Sequence, residues 1–300
     1  MTDIAKRLTT DGLVLQVGSF KYSIQTQYRS IVASIAILYT DFETLNKDDE
    51  NIFIDFYISI EPTNIFGKFI SRQAQFRFDG FIPFNSLPCQ HAPAIIEWGM
   101  NWCVSSQINT HLIIHAAVIE KSGYAVVMPA PPGSGKSTLT AALIQEGWRL
   151  LSDELTIIDV ETAHVVPFPR PVSLKNLSID IIKERYPSVV FGPVSTDTSK
   201  GNVCHIKPPQ LSVQQQFLEC PVGGVIFPKY EQGVSAELIE IGKGQALMDV
   251  ASNSFNYSRL GSAGFDVLHK VIDSASCYQF QYSQLDDAIA IFSALELGRE

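Results

Sequence analysis

Three hundred residues hold five cysteines, Cys89, Cys103, Cys204, Cys220 and Cys277, and no two form a CxxC pair. An odd, widely spaced set excludes a disulfide framework and a cysteine zinc site, and it suits a reducing compartment. Charge is scarce as well: 18% of residues are Asp, Glu, Lys or Arg, the net charge is −9, and no block of lysine and arginine occurs. A basic nucleic-acid surface and a basic membrane helix are therefore not expected. No run of eighteen apolar residues is present, and the first residues, Met1 to Arg7, lack the apolar core of a signal peptide. The expectation is a cytoplasmic protein with no membrane partner. Repeats and low-complexity tracts are absent too. With 46% hydrophobic residues the chain can bury one substantial core or two modest ones, so it is expected to fold nearly throughout.

What is present centres on Ala130-Pro131-Pro132-Gly133-Ser134-Gly135-Lys136-Ser137-Thr138. The apolar run Tyr124 to Met128 precedes it and the helical pattern Leu139 to Ile144 follows, so the order reads strand, glycine loop, helix. A nucleoside triphosphate needs such a loop because backbone N–H groups, a helix N-terminus and one ammonium can together surround its charged phosphates. Gly133 and Gly135 leave room for close approach of the backbone. Ser134 and Thr138 complete the cradle, Lys136 is placed to reach the β- and γ-phosphates, and the Ser137 hydroxyl to hold Mg²⁺. Ala130 stands where the usual pattern has its first glycine.

Gly147 can end the helix in the left-handed conformation, after which Trp148 to Asp159 reads as two short apolar strands with Asp153-Glu154 at the bend between them. Taken alone, Ser152-Asp153-Glu154 is ordinary turn composition. Shortly after a phosphate loop, two adjacent acids can divide the two tasks of phosphoryl transfer, a base for the acceptor hydroxyl and a carboxylate for the metal. Upstream, Leu112 to Ile119 reads as one buried strand containing His115, and Lys121-Ser122-Gly123 as the hairpin turn into the loop's strand. In isolation, a histidine in such a strand is a core residue more often than a functional one.

These motifs in this order resemble the bacterial HPr serine kinase/phosphorylase catalytic domain. His115-Ala116-Ala117, Pro129 to Leu139, Gly147 to Glu154 and Arg170 to Asn176 are more closely similar to the group called HPr-kinase-related kinase A. The resemblance spans about residues 111 to 290. It implies ATP and Mg²⁺ as cofactors, Asp153 as general base, Glu154 as a Mg²⁺ ligand, and His115 as the residue that orients or charge-balances the base. Two departures stand out: the family has two aspartates where this chain has Asp153-Glu154, and no counterpart of the HPr-docking signature is present. Both argue against HPr as substrate and against the reverse phosphorylase reaction.

Further basic residues could complete a phosphate site. Prolines fix the backbone on both sides of Arg170, which suits a guanidinium meant for bidentate phosphate contact. Thr196 to Pro209 reads as a long polar loop entering a short strand, a lid in which Lys200 beside Gly201 could close over the γ-phosphate. Lys175 is a further candidate, and plain surface charge is the competing reading for all three. Phe255-Asn256-Tyr257 recurs in the related kinases without a role that the residues disclose.

The hairpins beside the loop require antiparallel neighbours, so the fold class expected is α/β with a mixed sheet, preceded by a small α+β module. The resemblance implies that this sheet belongs to a P-loop kinase core of the HPr kinase/phosphoenolpyruvate carboxykinase type. The boundaries expected are residues 1–92 for the module and 93–300 for the catalytic domain, with an amphipathic helix over 93–107 as the bridge and a final helix over 286–297. The function expected is an ATP-dependent kinase acting on a hydroxyl acceptor, either a protein or peptide serine or a small molecule such as a sugar. A nucleotide-driven regulatory or assembly protein, and a plain ATPase, are the alternatives. Ring-shaped oligomers among HPr kinases make a homo-oligomer compatible with the resemblance, and no subunit number follows.

Overall fold

The computed structural model describes residues 3–47, 49, 51–63 and 73–298. The chain opens with α1 (Asp3–Thr9), β1 (Leu13–Val17), β2 (Phe20–Thr26), α2 (Arg29–Leu38), β3 (Thr44–Leu45), β4 (Phe56–Pro62), β5 (Gln73–Phe78), β6 (Leu87–Pro88) and α3 (Ala92–Gln107). Next come β7 (His111–Ile114), β8 (Ala116–Lys121), β9 (Tyr124–Pro129), α4 (Lys136–Gln145), β10 (Arg149–Ser152), β11 (Thr156–Asp159) and β12 (Val165–Val166). An excursion follows through β13 (Val172–Lys175), α5 (Leu177–Arg185), β14 (Ser195–Thr198) and β15 (Gly201–Ile206). The chain finishes with α6 (Gln210–Gln214), β16 (Val222–Tyr230), β17 (Glu237–Glu240), α7 (Lys243–Ser252), α8 (Tyr257–Leu260), α9 (Ser262–Ser274), β18 (Ser276–Tyr282) and α10 (Leu285–Ser293). Among the described residues no helix is long and apolar enough to cross a membrane.

Two compact units result, and each is discontinuous or bounded by the other in sequence: residues 1–104 with 173–208, and residues 105–172 with 209–300. In the first, a six-stranded sheet of order β3-β1-β2-β4-β5-β6 is antiparallel except for the β2–β4 pair. The hairpin expected at Gly18-Ser19 forms, with Gly18 at φ 55°. The excursion joins this unit through His91, whose ring Nε2 lies 2.9 Å from the Thr196 carbonyl oxygen, and through the Lys207–Asp41 ion pair at 2.8 Å. The short strand expected after the polar loop is present as β15, but residues 195–198 are a strand as well, so residues 195–206 are not an open loop. They form a hairpin, β14 paired with β15, closed by Ser199-Lys200 between the paired residues Thr198 and Gly201. Polar residues fill both strands near the turn, so their side chains gave no apolar alternation by which to recognise them.

In the second unit a mixed six-stranded sheet runs β10-β8-β9-β16-β18-β17. The strand β8 is antiparallel to both β9 and β10, whereas β16 is parallel to β9 and to β18. Mixed α/β architecture is thus present. Apolar runs such as Ala125-Val126-Val127-Met128 suit β9 because both faces of the sheet are covered; all four residues are buried. One face packs on α7 and α9 through Val127, Val225, Leu268 and Ile272, and α4 and α10 contact each other, with Phe292 buried against Trp148. A second sheet, β12-β11-β7, is antiparallel throughout. The five cysteines are unpaired, and burial pushes the Cys204 and Cys220 thiols up to about 11.

Candidate active site

The glycine loop forms where β9 ends at Pro129, and α4 begins at Lys136. Its two glycines adopt conformations that L side chains resist, Gly133 at φ 89° and Gly135 at φ 86°. Gly135 is the residue before the first helical turn, and no side chain caps the helix there. The loop's own carbonyls are tied down from the far side: the Tyr230 N–H donates to the Ser134 carbonyl at 2.8 Å, and the Tyr282 hydroxyl donates to the Gly135 carbonyl at 3.1 Å. Burial pushes the Tyr282 hydroxyl well above its usual range, with the nearby Tyr230 adding to the shift, so this donor keeps its proton at physiological pH. Lys136 is buried at 7% exposure, on a turn closed by the bond from Thr140 Oγ1 to its carbonyl. The Ser134 Oγ atom is buried without a hydrogen-bond partner among the described residues. Open space over Gly133, where an added Cβ would meet nothing within 4 Å, and an unpartnered hydroxyl on the next residue of the same loop fit a polyoxyanion seated there.

The acidic bend and His115 reach the same end of the sheet for a topological reason. Because β8 is antiparallel to both neighbours, the start of β8 lies at the edge where β9 and β10 finish. Ala116 pairs with Pro129, and Val118 pairs with Ser152. His115 precedes β8, the loop follows β9 and Asp153-Glu154 follows β10, so all three emerge together. Two strand spacings, about 10 Å of backbone separation, lie between the loop and the acids.

The expected single strand over 112–119 is in fact two strands that serve different sheets, β7 pairing with β11 and β8 with β9 and β10. The break falls at His115. The chain from β10 to β11 makes the matching crossing at Asp153-Glu154, with Ile114 paired to Thr156 on one side of the crossing and Val118 to Ser152 on the other. The Thr156 hydroxyl donates to the Ala116 carbonyl at 3.1 Å, and the Leu155 N–H donates to Ser152 Oγ at 3.3 Å, which fixes the turn. His115 and the acidic pair therefore occupy adjacent bends. Asp153 is buried at 3% exposure, while Glu154 and His115 are half-buried.

Several residues around this centre had no readable role in the sequence. Asn256, buried, accepts from the Ile113 N–H at 2.9 Å and donates to the carbonyls of Ile108 at 3.1 Å and His111 at 2.8 Å. It clamps the strand leading into His115. The Phe255 ring lies 5.8 Å from the His115 ring, and the backbone N–H of His115 donates to the Asn253 carbonyl at 2.7 Å. Arg149 anchors the other strand: its Nε bonds Glu120 at 2.7 Å and its Nη1 bonds the carbonyls of Gln215 and Leu218. Only Arg149's place in the motif ending at Glu154 signalled it.

Arg170 is buried at 5% exposure, with its guanidinium 5.6 Å from the Phe168 ring centre. Its segment is fastened beside β10 by the bond from the Phe168 N–H to the Leu151 carbonyl, at the irregularity between Leu150 and Ser152. Lys175 and Lys200 belong to the other unit, where the Lys200 ammonium lies 5.3 Å from the Trp98 ring centre, in the hairpin turn already described. The described residues contain no group of three or more His, Cys, Asp or Glu side chains arranged to hold a metal.

No family model matches the chain, and no curated protein matches it. Among solved structures the chain is similar to the Hpr(Ser) kinase/phosphatase from Coxiella burnetii, at 12% sequence identity and a TM-score of 0.27. The alignment covers 60% of this chain and 91% of that one. A likeness of that size carries no argument about function.

Proposed function

We propose that the chain is a phosphotransferase that moves the terminal phosphoryl group of ATP to the hydroxyl of an acceptor. The observation that carries this reading is the common sheet end at which the glycine loop after β9, His115 before β8 and Asp153-Glu154 after β10 emerge. Backbone amides from Gly133 to Thr138 would hold the phosphates, with the orphaned Ser134 hydroxyl as a further donor and Lys136 as the cation. Ser137 and Glu154 would hold Mg²⁺. The metal, when bound, neutralises charge on the phosphate oxygens.

The chain's own groups then have distinct tasks. Asp153 accepts the proton of the acceptor hydroxyl while that oxygen forms its bond to the terminal phosphorus. The bond from phosphorus to the bridging oxygen breaks, and the leaving diphosphate carries the negative charge away. Arg170 and Lys136 offset charge that grows on the transferring group. His115, on the bend beside Asp153, orients that carboxylate and balances its charge. Phe255 and Asn256 act further out, by fixing where His115 stands.

The test is incubation with Mg²⁺ and γ-labelled ATP in the presence of separated peptide and small-molecule fractions of a cell extract. Label in an acid-stable or base-stable phosphoester supports the reading, and the fraction that carries it gives the acceptor class. Label appearing only as inorganic phosphate would make the protein an ATPase, and nucleotide binding with no turnover would make it a switch.

A further inference from the structure

The glycine loop has unlike chemistry on its two sides. Across β8 lie His115, Asp153 and Glu154; on the opposite side β16 and β18 run parallel to β9 and end at Tyr230 and Tyr282. With the terminal phosphate turned toward the acids, the remainder of a nucleotide leaves the loop over the ends of β16 and β18. Tyr230 stands there at 49% exposure. An added Cβ on Gly135 would lie 2.9 Å from the Tyr230 Cβ, so the aromatic side chain starts directly beside the loop backbone.

Its position is also rigid. The Tyr230 N–H bonds the Ser134 carbonyl at 2.8 Å, and the next N–H, of Glu231, bonds the Tyr282 carbonyl at 3.0 Å. The Tyr230 ring meets the Tyr282 ring edge to face, with centroids 5.8 Å apart and planes at 74°. Tyr282 itself is not available to a ligand, because it is 3% exposed, stacked on Phe280 at 9°, and committed to the Gly135 carbonyl. It buttresses its neighbour. An exposed aromatic side chain braced by one neighbouring ring on a tied-down backbone loses little entropy when a flat ring settles on it.

We propose that Tyr230 is the stacking platform for the heteroaromatic base of the donor nucleotide. The inference rests on the phosphotransferase reading above and adds the nucleoside end of the same site. Stacking reads the π-face that every base possesses, so the platform accepts adenine and guanine alike.

The test compares binding of Mg²⁺–ATP with binding of Mg²⁺–tripolyphosphate, which has the phosphates and no base, by calorimetric titration of the full chain. Tyr230→Ala should weaken ATP by about tenfold and leave tripolyphosphate within about twofold, while Tyr230→Phe keeps wild-type affinity for both. Unchanged tripolyphosphate binding also shows that the variant is folded. Equal losses for the two ligands, or no loss for ATP, would overturn the platform while leaving the phosphate loop intact. A wild-type protein that binds neither ligand would remove the phosphate reading and the platform with it.

Discussion

Gly133 and Gly135 have nearly the same backbone angle and very different surroundings, which makes them an internal comparison. At Gly133 an added Cβ meets nothing within 4 Å; at Gly135 it would lie 2.4 Å from the Tyr282 hydroxyl oxygen and 2.9 Å from the Tyr230 Cβ. Placing Ala in a left-handed conformation costs about 1–2 kcal/mol at either site. Gly135→Ala adds an overpacking cost of about 1–3 kcal/mol, because Tyr282 is buried, stacked on Phe280 and cannot withdraw freely. The expected losses are thus about 1–2 kcal/mol for Gly133→Ala and about 2–5 kcal/mol for Gly135→Ala. Of the three tryptophans only Trp148 lies in the unit that carries the loop, and it is buried. Urea unfolding followed by its fluorescence, with Trp98 and Trp102 replaced by Phe, reads the stability of that unit. In a Tyr282→Phe background the nearest atom is gone, so Gly135→Ala should cost about 1–2 kcal/mol less than in the parent. Equal costs at the two glycines, or no relief from Tyr282→Phe, would refute the claim that the loop is buttressed by the ends of β16 and β18.

Two further perturbations follow from buried polar groups. Asn256→Ala removes three hydrogen bonds from the strand before His115 and should cost about 3 kcal/mol, at about 1 kcal/mol each; Asn256→Asp, which turns an acceptor toward two carbonyls, should cost more. Denaturant midpoints decide this, and a larger loss for Ala than for Asp would contradict the assigned amide orientation. Acid should weaken the fold in two stages. Burial holds the His111 imidazole below its usual 6.5, against the opposing charges of Asp159 and Glu219, so the unfolded chain takes up this proton first and stability falls as pH drops through 6.5. Hydrogen bonds from the backbone N–H groups of Thr162 and then Glu161 hold the Asp159 carboxyl below its usual 3.8, so its contribution is present above that value and is lost as pH falls through the lower folded one. His111→Gln should flatten the decline that sets in as pH drops below 6.5; an unchanged slope would assign that decline to other groups.

Much of the site's layout was legible because its residues are punctuated by glycine. The strand Tyr124–Pro129, the loop and the helix from Lys136 follow directly from an apolar run, two glycines and a periodic segment. The break at His115 was hidden because both halves, Leu112–Ile114 and Ala116–Ile119, are equally apolar; a strand that changes sheets keeps its hydrophobicity while changing its partners. The first strand of the hairpin over 195–206 was hidden for the opposite reason, since Ser195-Thr196-Asp197-Thr198 has turn composition. Asn256 and Arg149 act on backbone carbonyls far away in sequence, which no local pattern encodes. Return of residues 173–208 to the first unit is likewise a long-range outcome, fixed by contacts such as His91 with Thr196 and Lys207 with Asp41.

If Asp153 and the glycine loop act on one phosphorus atom, two variants measured side by side must fail in different ways. With γ-labelled ATP and the acceptor fraction, Asp153→Asn should keep ATP affinity within severalfold and lose at least about a hundredfold in phosphoryl transfer, the scale of a general base. Lys136→Ala should instead lose ATP binding itself. Transfer by Asp153→Asn at the wild-type rate would contradict the account.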